Sequence, residues 1–427
     1  MEMYLHVGMQ LTRSKWSWRF TIGSRLMEMF LQFGYGMMDH CRTLVTEWEG
    51  GNVILSPRDL KPTQLVNLAT SIRGGGGKVL LDPQFYLPYA DHERLVSHDY
   101  WPKGYDSGGF WSGTELNLLL TKLRNLNTQL GCDRFILPGL FAAPADGDWL
   151  DRQQAVFEEA EGLGIDPHTT LATVALGADV VRNLDSIHEI LDESAKWKVG
   201  GIYLVCEHPS GAYLVEDPIW LANILDITAG FRLRKLDVII GYCNHQMLIA
   251  GCSSATAIAS GTWMNVRSFP PDKFRAPYED EIKKRTTWYY CPQSLSEFKI
   301  PFLDIAMQQG VLMPMRTAAV MGSTYSDILF TGPQPSTVQF SEQAAFRHYL
   351  HCLRHQTMQA RRPTFDQTVS AHEQMLTDAE TLLQQLHGVG VIGGHRDFED
   401  MIDVNRAALG VLRSNRGPML RRCWNAI

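Results

Sequence analysis

Between about residue 50 and residue 270, short runs of continuously apolar residues alternate with stretches whose apolar positions recur at helical spacing. Runs without alternation are what strands covered on both faces show, and strand–helix alternation builds a parallel sheet through βαβ crossovers. The first unit is Val53 to Ser56 (VILS), a helix over Thr63 to Ile72, a four-glycine turn at Gly74 to Gly77, and Lys78 to Asp82 (KVLLD). Further strands are predicted at Arg134 to Pro138, Thr170 to Ala175, Gly201 to Cys206, Leu236 to Gly241 and Gly261 to Val266. Helices are predicted at Ala155 to Gly162, Asn183 to Trp197 and Asp217 to Ile227. An eighth strand is expected near Tyr4 to Val7, Gln32 to Met37 or Ile300 to Ile305. A Rossmann sheet would carry G-x-G-x-x-G after its first strand, and this chain does not. The predicted fold class is therefore α/β, a (β/α)8 TIM barrel, with chemistry on the C-terminal ends of its strands.

After about residue 340 the pattern turns to long helical periodicity, in Glu342 to Ala360, Val369 to His387 and Phe398 to Arg413. The expected organisation is a barrel with an N-terminal extension over 1–335 and a C-terminal helical region over 336–427. Arg347, His348, His351, Arg354, His355, Arg361 and Arg362 make the first of these helices basic, which reads as a solvated face or as phosphate contacts. Trp16, Trp18, Met27, Met29 and Phe30 suggest packing against the barrel base, or an interface.

The 427 residues are 45% hydrophobic, 20% charged and 10% aromatic, proportions that exclude a disordered, collagenous or coiled-coil chain. A net charge of -7 argues against a surface that grips nucleic acid all over. The eight cysteines are scattered without a C-x-x-C pair and are read as reduced, buried thiols. No apolar run reaches the roughly 20 residues of a membrane span. Met1 to Phe20 is too polar for a signal peptide, so a cytoplasmic protein with no membrane partner is expected.

Asp82 closes the second predicted strand in Leu-Asp-Pro-Gln-Phe-Tyr, which brings a carboxylate, the Gln84 amide and the Tyr86 phenol to one barrel mouth; the alternative is a turn cap before Pro83. Glu207 and His208 close the Gly201 strand, and two carboxylates from different strands suit general acid/base work. Tyr242, Asn244 and His245 follow the next strand, and Asn265 and Arg267 the last. These would bind a polar ligand, with Arg267 complementing an anion. His and Cys lack metal-ligand spacing, and neither G-x-S-x-G nor a Walker loop is present, so no metal and no other cofactor is expected.

Val238 to Tyr242, followed by Ile258 to Arg267 (IASGTWMNVR), resembles the late barrel of the tRNA-guanine transglycosylases, the queuine and archaeosine tRNA-ribosyltransferases. Gly200 to Glu207 is similar to that family's G-G-L-A-V-G-E strand, and Asp82 to its D-S-G-G/A-F aspartate. Asp106 to Phe110 spells D-S-G-G-F outright but follows a loop, which makes Asp106 the fallback. The resemblance covers about residues 50 to 270. It implies base exchange by a glycosyltransferase on tRNA or DNA, with guanine or a 7-deazaguanine as the second substrate.

The chain departs from the family in three ways. Trp263 to Asn265 replaces the nucleophilic aspartate; Pro138 and Gly177 stand where base-reading residues belong; and Cys291 is the lone cysteine where the family has its zinc motif. The resemblance thus implies a divergent paralogue, of the kind linked to 7-deazaguanine modification of DNA or to antiviral defence, with protein partners from the same operon. In it Asp82 binds the base or acts as general acid/base, Glu207 positions Asp82, and Asn265 and Arg267 hold ribose or phosphate. A barrel that binds nucleic acid or a partner without turnover, and an unrelated TIM-barrel hydrolase or lyase, are the alternatives.

Overall fold

A computed structural model describes residues 26–89, 92–102, 111–275 and 286–427. Its main sheet contains β1 (Glu28–Gln32), β2 (Asn52–Leu55), β3 (Lys78–Leu81), β4 (Phe135–Ile136), β5 (Phe141–Ala142), β6 (Thr170–Leu176), β7 (Gly201–Cys206), β8 (Asp237–Ile240) and β9 (Ala257–Ser260). All pair in parallel in the order β3-β2-β1-β9-β8-β7-β6-β4, with β5 also on β6.

The pieces β4 and β5 share one barrel position, since Phe135 faces Thr170 at the start of β6 and Phe141 faces Ala175 near its end. Pro138, which has no N–H to give the ladder, stands in the break between them. Gly139 lets the backbone pass there, because a Cβ would come within 2.6 Å of the Thr173 carbonyl oxygen. The circle is joined where β4 lies along β3 and the Phe141 N–H donates to the Tyr86 carbonyl at 2.9 Å. Eight strand positions therefore follow one another round an α/β barrel in chain order.

The unbroken apolar runs are explained by burial on both faces, complete along β6 and β7. The outer helices start on polar caps: Asp146 accepts from the Trp149 N–H, Asn183 from Asp185 and Ser186, and Asp217 from Ile219 and Trp220. The helix Pro218–Leu233 is buried from Trp220 to Arg232 because the helix Glu399–Asn415 covers its outer side. Arg416 locks the two together with two bonds to the Asp226 carboxylate, 2.8 and 2.7 Å long. The hairpin β10 (Trp288–Cys291) and β11 (Ser296–Lys299) precedes this helical layer, and the helix Glu342–Gln359 packs on β1 and β10.

Several expectations shift. The last barrel strand is Ala257–Ser260, and Met264–Val266 within the expected Gly261 strand is a 3-10 turn. The eighth strand is β1, which ends at Gln32 where one candidate began, while Ile300–Gln308 is a helix with Pro301 in its first turn. Tyr4 to Val7, Trp16 and Trp18 lie outside the described residues. Met27, Met29 and Phe30 are buried in the core. Four residues of the basic helix and the turn after it have partners inside the protein: Arg347 pairs with Asp39, Arg354 lies 4.8 Å over Trp48, His348 bonds the Tyr290 carbonyl, and Arg361 donates to the Trp424 and Ile427 carbonyls. All eight cysteines are free thiols, with Cys132 and Cys423 half-buried and the others buried. No helix among the described residues is long and apolar enough to cross a membrane.

Candidate active site

At the C-terminal end of the barrel one carboxylate gathers donors from several strands. Asp82, directly after β3, is wholly buried. Its Oδ2 accepts from the Tyr86 and Tyr242 hydroxyls, each at 2.8 Å, and lies 3.3 Å from the Tyr203 hydroxyl, while Oδ1 accepts the Gln84 N–H at 2.9 Å. Burial raises the carboxyl above the ordinary aspartate range, opposed by the Tyr86, Gln84 and Tyr242 bonds and by the charge of Lys273. Tyr86, Tyr203 and Tyr242 are pushed well above the usual phenol value, first by burial and then by Asp82, and stay protonated as donors.

A second tier holds the phenols. The Gln84 amide nitrogen donates to Ser56 Oγ at 2.8 Å and to the Tyr242 hydroxyl at 3.2 Å, and its oxygen accepts the Arg58 N–H at 2.8 Å. Tyr203 lies 2.9 Å from Gln32 Oε1. Its single proton serves either Gln32 or Asp82. Turning the Gln32 amide over would make that residue the donor to Tyr203 and send the phenol proton to Asp82.

Gln84 and Tyr242 have φ of 53° and 55°, the left-handed region that side-chain-bearing residues rarely enter. Each costs of order 1–3 kcal/mol and persists because its hydrogen bonds and packing over-determine it, which is how strain gathers at functional sites. Above the carboxylate, Phe269 and Phe274 pack on Tyr86 with ring centres 5.0 and 4.9 Å away, and Phe269 lies 5.2 Å from Tyr242. Lys273, 1% exposed, sets its ammonium 4.2 Å over the Tyr242 ring and donates to the Asn265 carbonyl at 2.6 Å. Arg58 fastens this turn from below through the Lys273 carbonyl at 2.7 Å.

The sequence-predicted residues divide. Asp82, Gln84, Tyr86 and Tyr242 are brought together. Glu207 is not among the hydrogen-bond partners of Asp82; its carboxylate accepts the Ala178 N–H at 3.1 Å at the start of the helix Ala178–Arg182. His208 bonds the Ala212 carbonyl, packs on Trp220 and is held neutral by burial, with its pKa lowered to about 4. Asn244 caps the following turn, accepting the Gln246 N–H and donating to the Tyr213 carbonyl. His245 is enclosed by Tyr290, Phe398, Tyr213 and Tyr349.

Asn265 serves through its backbone carbonyl under Lys273. Arg267, expected to meet an anionic ligand, already has its anion: it is buried, 3.3 Å from Glu297 and stacked 3.4 Å over Tyr349. Arg396 and the Tyr213 hydroxyl bind the same Glu297 at 2.8 and 2.7 Å, and although burial opposes it, the two guanidiniums hold that carboxyl at about 2. Asp106 lies outside the described residues. Among those residues, no group of three His, Cys, Asp or Glu side chains is arranged to hold a metal ion.

Tyr203, Gln32, Ser56, Lys273 and the Phe269–Phe274 roof were not foreseen. Tyr203 is the one polar side chain in Gly-Ile-Tyr-Leu-Val-Cys, and Gly241 follows β8, where a Cβ would come within 2.7 Å of the Tyr203 hydroxyl. The lone phenol in that apolar strand is the signal the sequence offers; its partners are not in it.

Comparison with protein-family models gives no match, and comparison with curated proteins gives none either. Among solved structures, the chain is similar to a tetrameric deoxyribose phosphate aldolase from Aeropyrum pernix at 13% identity, over 60% of this chain and 92% of the aldolase, with a TM-score of 0.33. It is also similar to a D-allulose 3-epimerase from Methylomonas sp. at 12% identity, over 60% of this chain and 95% of the epimerase, with a TM-score of 0.30. The α/β barrel rests on the strand order and closure described above.

Proposed function

We propose that the protein is a divergent transglycosylase-like enzyme that acts on a guanine or 7-deazaguanine base of a nucleic acid at the Asp82 site. The observation that carries this reading is the Asp82 carboxylate, buried after β3 under aromatic rings and held by donors from separate elements of the barrel. A planar heterocycle suits such surroundings: ring faces to stack on, and a carboxylate to accept a ring N–H. In base exchange, Asp82 takes the N–H proton of the incoming base as its bond to the sugar forms, and returns a proton to the departing base. The attacking group on the sugar is not supplied by Trp263 to Asn265, which contain no carboxylate. Since Asp82 is wholly buried, a base reaches it only when part of its surroundings is displaced.

A second reading is favoured by one feature: Asp82 already accepts from Gln84, Tyr86 and Tyr242, with the Tyr203 hydroxyl 3.3 Å away, as in a barrel that binds nucleic acid or a partner without turnover. Calorimetric titration of wild type and Asp82→Asn with guanine and 7-deazaguanine tests the first. Binding to wild type that weakens at least tenfold in the variant supports the base site. Equal affinity in both proteins, or no binding to either while nucleic acid is retained, rejects it in favour of the second.

A further inference from the structure

We infer that Lys273 is a positioning residue of the Asp82 site, the counter-ion that keeps this carboxylate ionised beneath the aromatic roof. The inference deepens the proposed function and rests on it for the purpose of the site, but its geometry stands apart from any turnover.

Three groups on the carboxylate are hydrogen-bond donors, the Gln84 N–H and the hydroxyls of Tyr86 and Tyr242, and Tyr203 is a fourth when the Gln32 amide donates to it. An ionised Asp82 accepts from all of these, whereas a protonated one would oppose the Gln84, Tyr86 or Tyr242 donor unless its O–H turned to the Tyr203 oxygen. A wholly buried anion also needs a cation nearby. Arg58 is committed elsewhere, to Asp59 at 3.0 Å and to the Lys273 carbonyl. Lys273 is the cation whose charge favours the ionised form of Asp82.

Its ammonium is fixed by the Asn265 carbonyl at 2.6 Å and by the ring of Tyr242 at 4.2 Å. Tyr242 thus carries a cation on its face while its hydroxyl donates to Asp82, and the positive charge draws density from the ring and strengthens that donation. Among the described residues, the other titratable groups that face Asp82 are phenols, including Tyr100, which spends its hydroxyl on the Pro83 carbonyl at 2.8 Å.

Infrared spectroscopy of the full chain grown with isotope-labelled aspartate reads the carbonyl stretch of a protonated carboxylic acid; an Asp82→Asn partner for each protein assigns the band. At neutral pH the wild type is expected to show no such band for Asp82, and Lys273→Arg to match it. In Lys273→Met the pH at which half the band appears is expected to rise by about 1 to 3 units, the shift an adjacent opposite charge produces. A titration midpoint equal in wild type and Lys273→Met would overturn the inference. So would an Asp82 band already present in the wild type at neutral pH, a result that stands even if the Met variant fails to fold. Because the readout needs no substrate, this inference can fail while base binding succeeds, and the reverse.

Discussion

Tyr242, in the turn after β8, donates its hydroxyl to the Asp82 carboxylate at 2.8 Å across a separation of 160 residues. Both Tyr242 and Gln84, which it meets at 3.2 Å, hold left-handed backbones to make this contact. The barrel therefore spends conformational energy to place these two groups beside one buried carboxylate.

Replacing Tyr242 by Phe removes one donor from Asp82 and one acceptor from Gln84, both buried. A buried polar group left unsatisfied costs about 1–3 kcal/mol. Urea unfolding of Tyr242→Phe should show a loss of that size, and a variant as stable as wild type would mean the phenol is not holding the carboxylate.

Gly241 gives Tyr203 its room: a Cβ would stand 2.7 Å from the hydroxyl and 2.8 Å from two ring carbons. Overpacking of this kind typically costs about 1–3 kcal/mol. Gly241→Ala should be destabilised accordingly, and the double variant with Tyr203→Phe should lose less than the two single losses added. Strict additivity in that cycle would show that the two residues do not compete for the space.

Glu297 neutralises two cations, the buried Arg267 and the half-buried Arg396. Removing one partner of a buried ion pair leaves an uncompensated charge and costs about 3–5 kcal/mol. Glu297→Gln should fall in that range by chemical denaturation, while a loss under about 1 kcal/mol would show that water already compensates the arginines.

Stability should fall with acid in two stages. Burial lowers His208, His245, His348 and His372 to about 4 in the folded chain. The unfolded chain takes up these protons near pH 6.5, so their contribution is full above that value and is lost as pH falls toward 4, at about 1.4 kcal/mol per unit for each histidine. Glu297, held at about 2, follows with the same sign, losing its contribution as pH drops from about 4.3 toward 2. Urea midpoints measured from pH 7.5 to pH 4.5 should decline steadily below about 6.5; a flat profile would show that these imidazoles are hydrated.

The barrel was legible because its strands are buried on both faces and read as unbroken apolar runs, as in Thr170 to Leu176. Two of its strands were harder. Strand β1 lies before the stretch in which strands and helices alternate, and Ala257–Ser260 is built mostly of small residues, so the bulkier Gly-Thr-Trp-Met run just after it drew the assignment. Asp82, Gln84, Tyr86 and Tyr242 were visible as polar residues at strand ends.

Lys273 and Tyr203 were not visible: one sits in a turn after the last strand, the other mid-strand, and only the closed barrel brings them to Asp82. Arg267 and Asn244 have partners inside the protein that the sequence did not reveal. Polar residues past strand ends also cap turns and neutralise buried charge, and sequence spacing does not separate those uses from ligand binding.

The most direct measurement is transfer of labelled guanine or 7-deazaguanine into tRNA or duplex DNA by the purified full chain, with Asp82→Asn alongside. Label is expected in one of the polymers with wild type, with loss of at least a hundredfold in the variant, a size in line with removal of a general acid or base. Incorporation at the same rate by Asp82→Asn, or none by wild type into either polymer, would contradict the base-exchange reading.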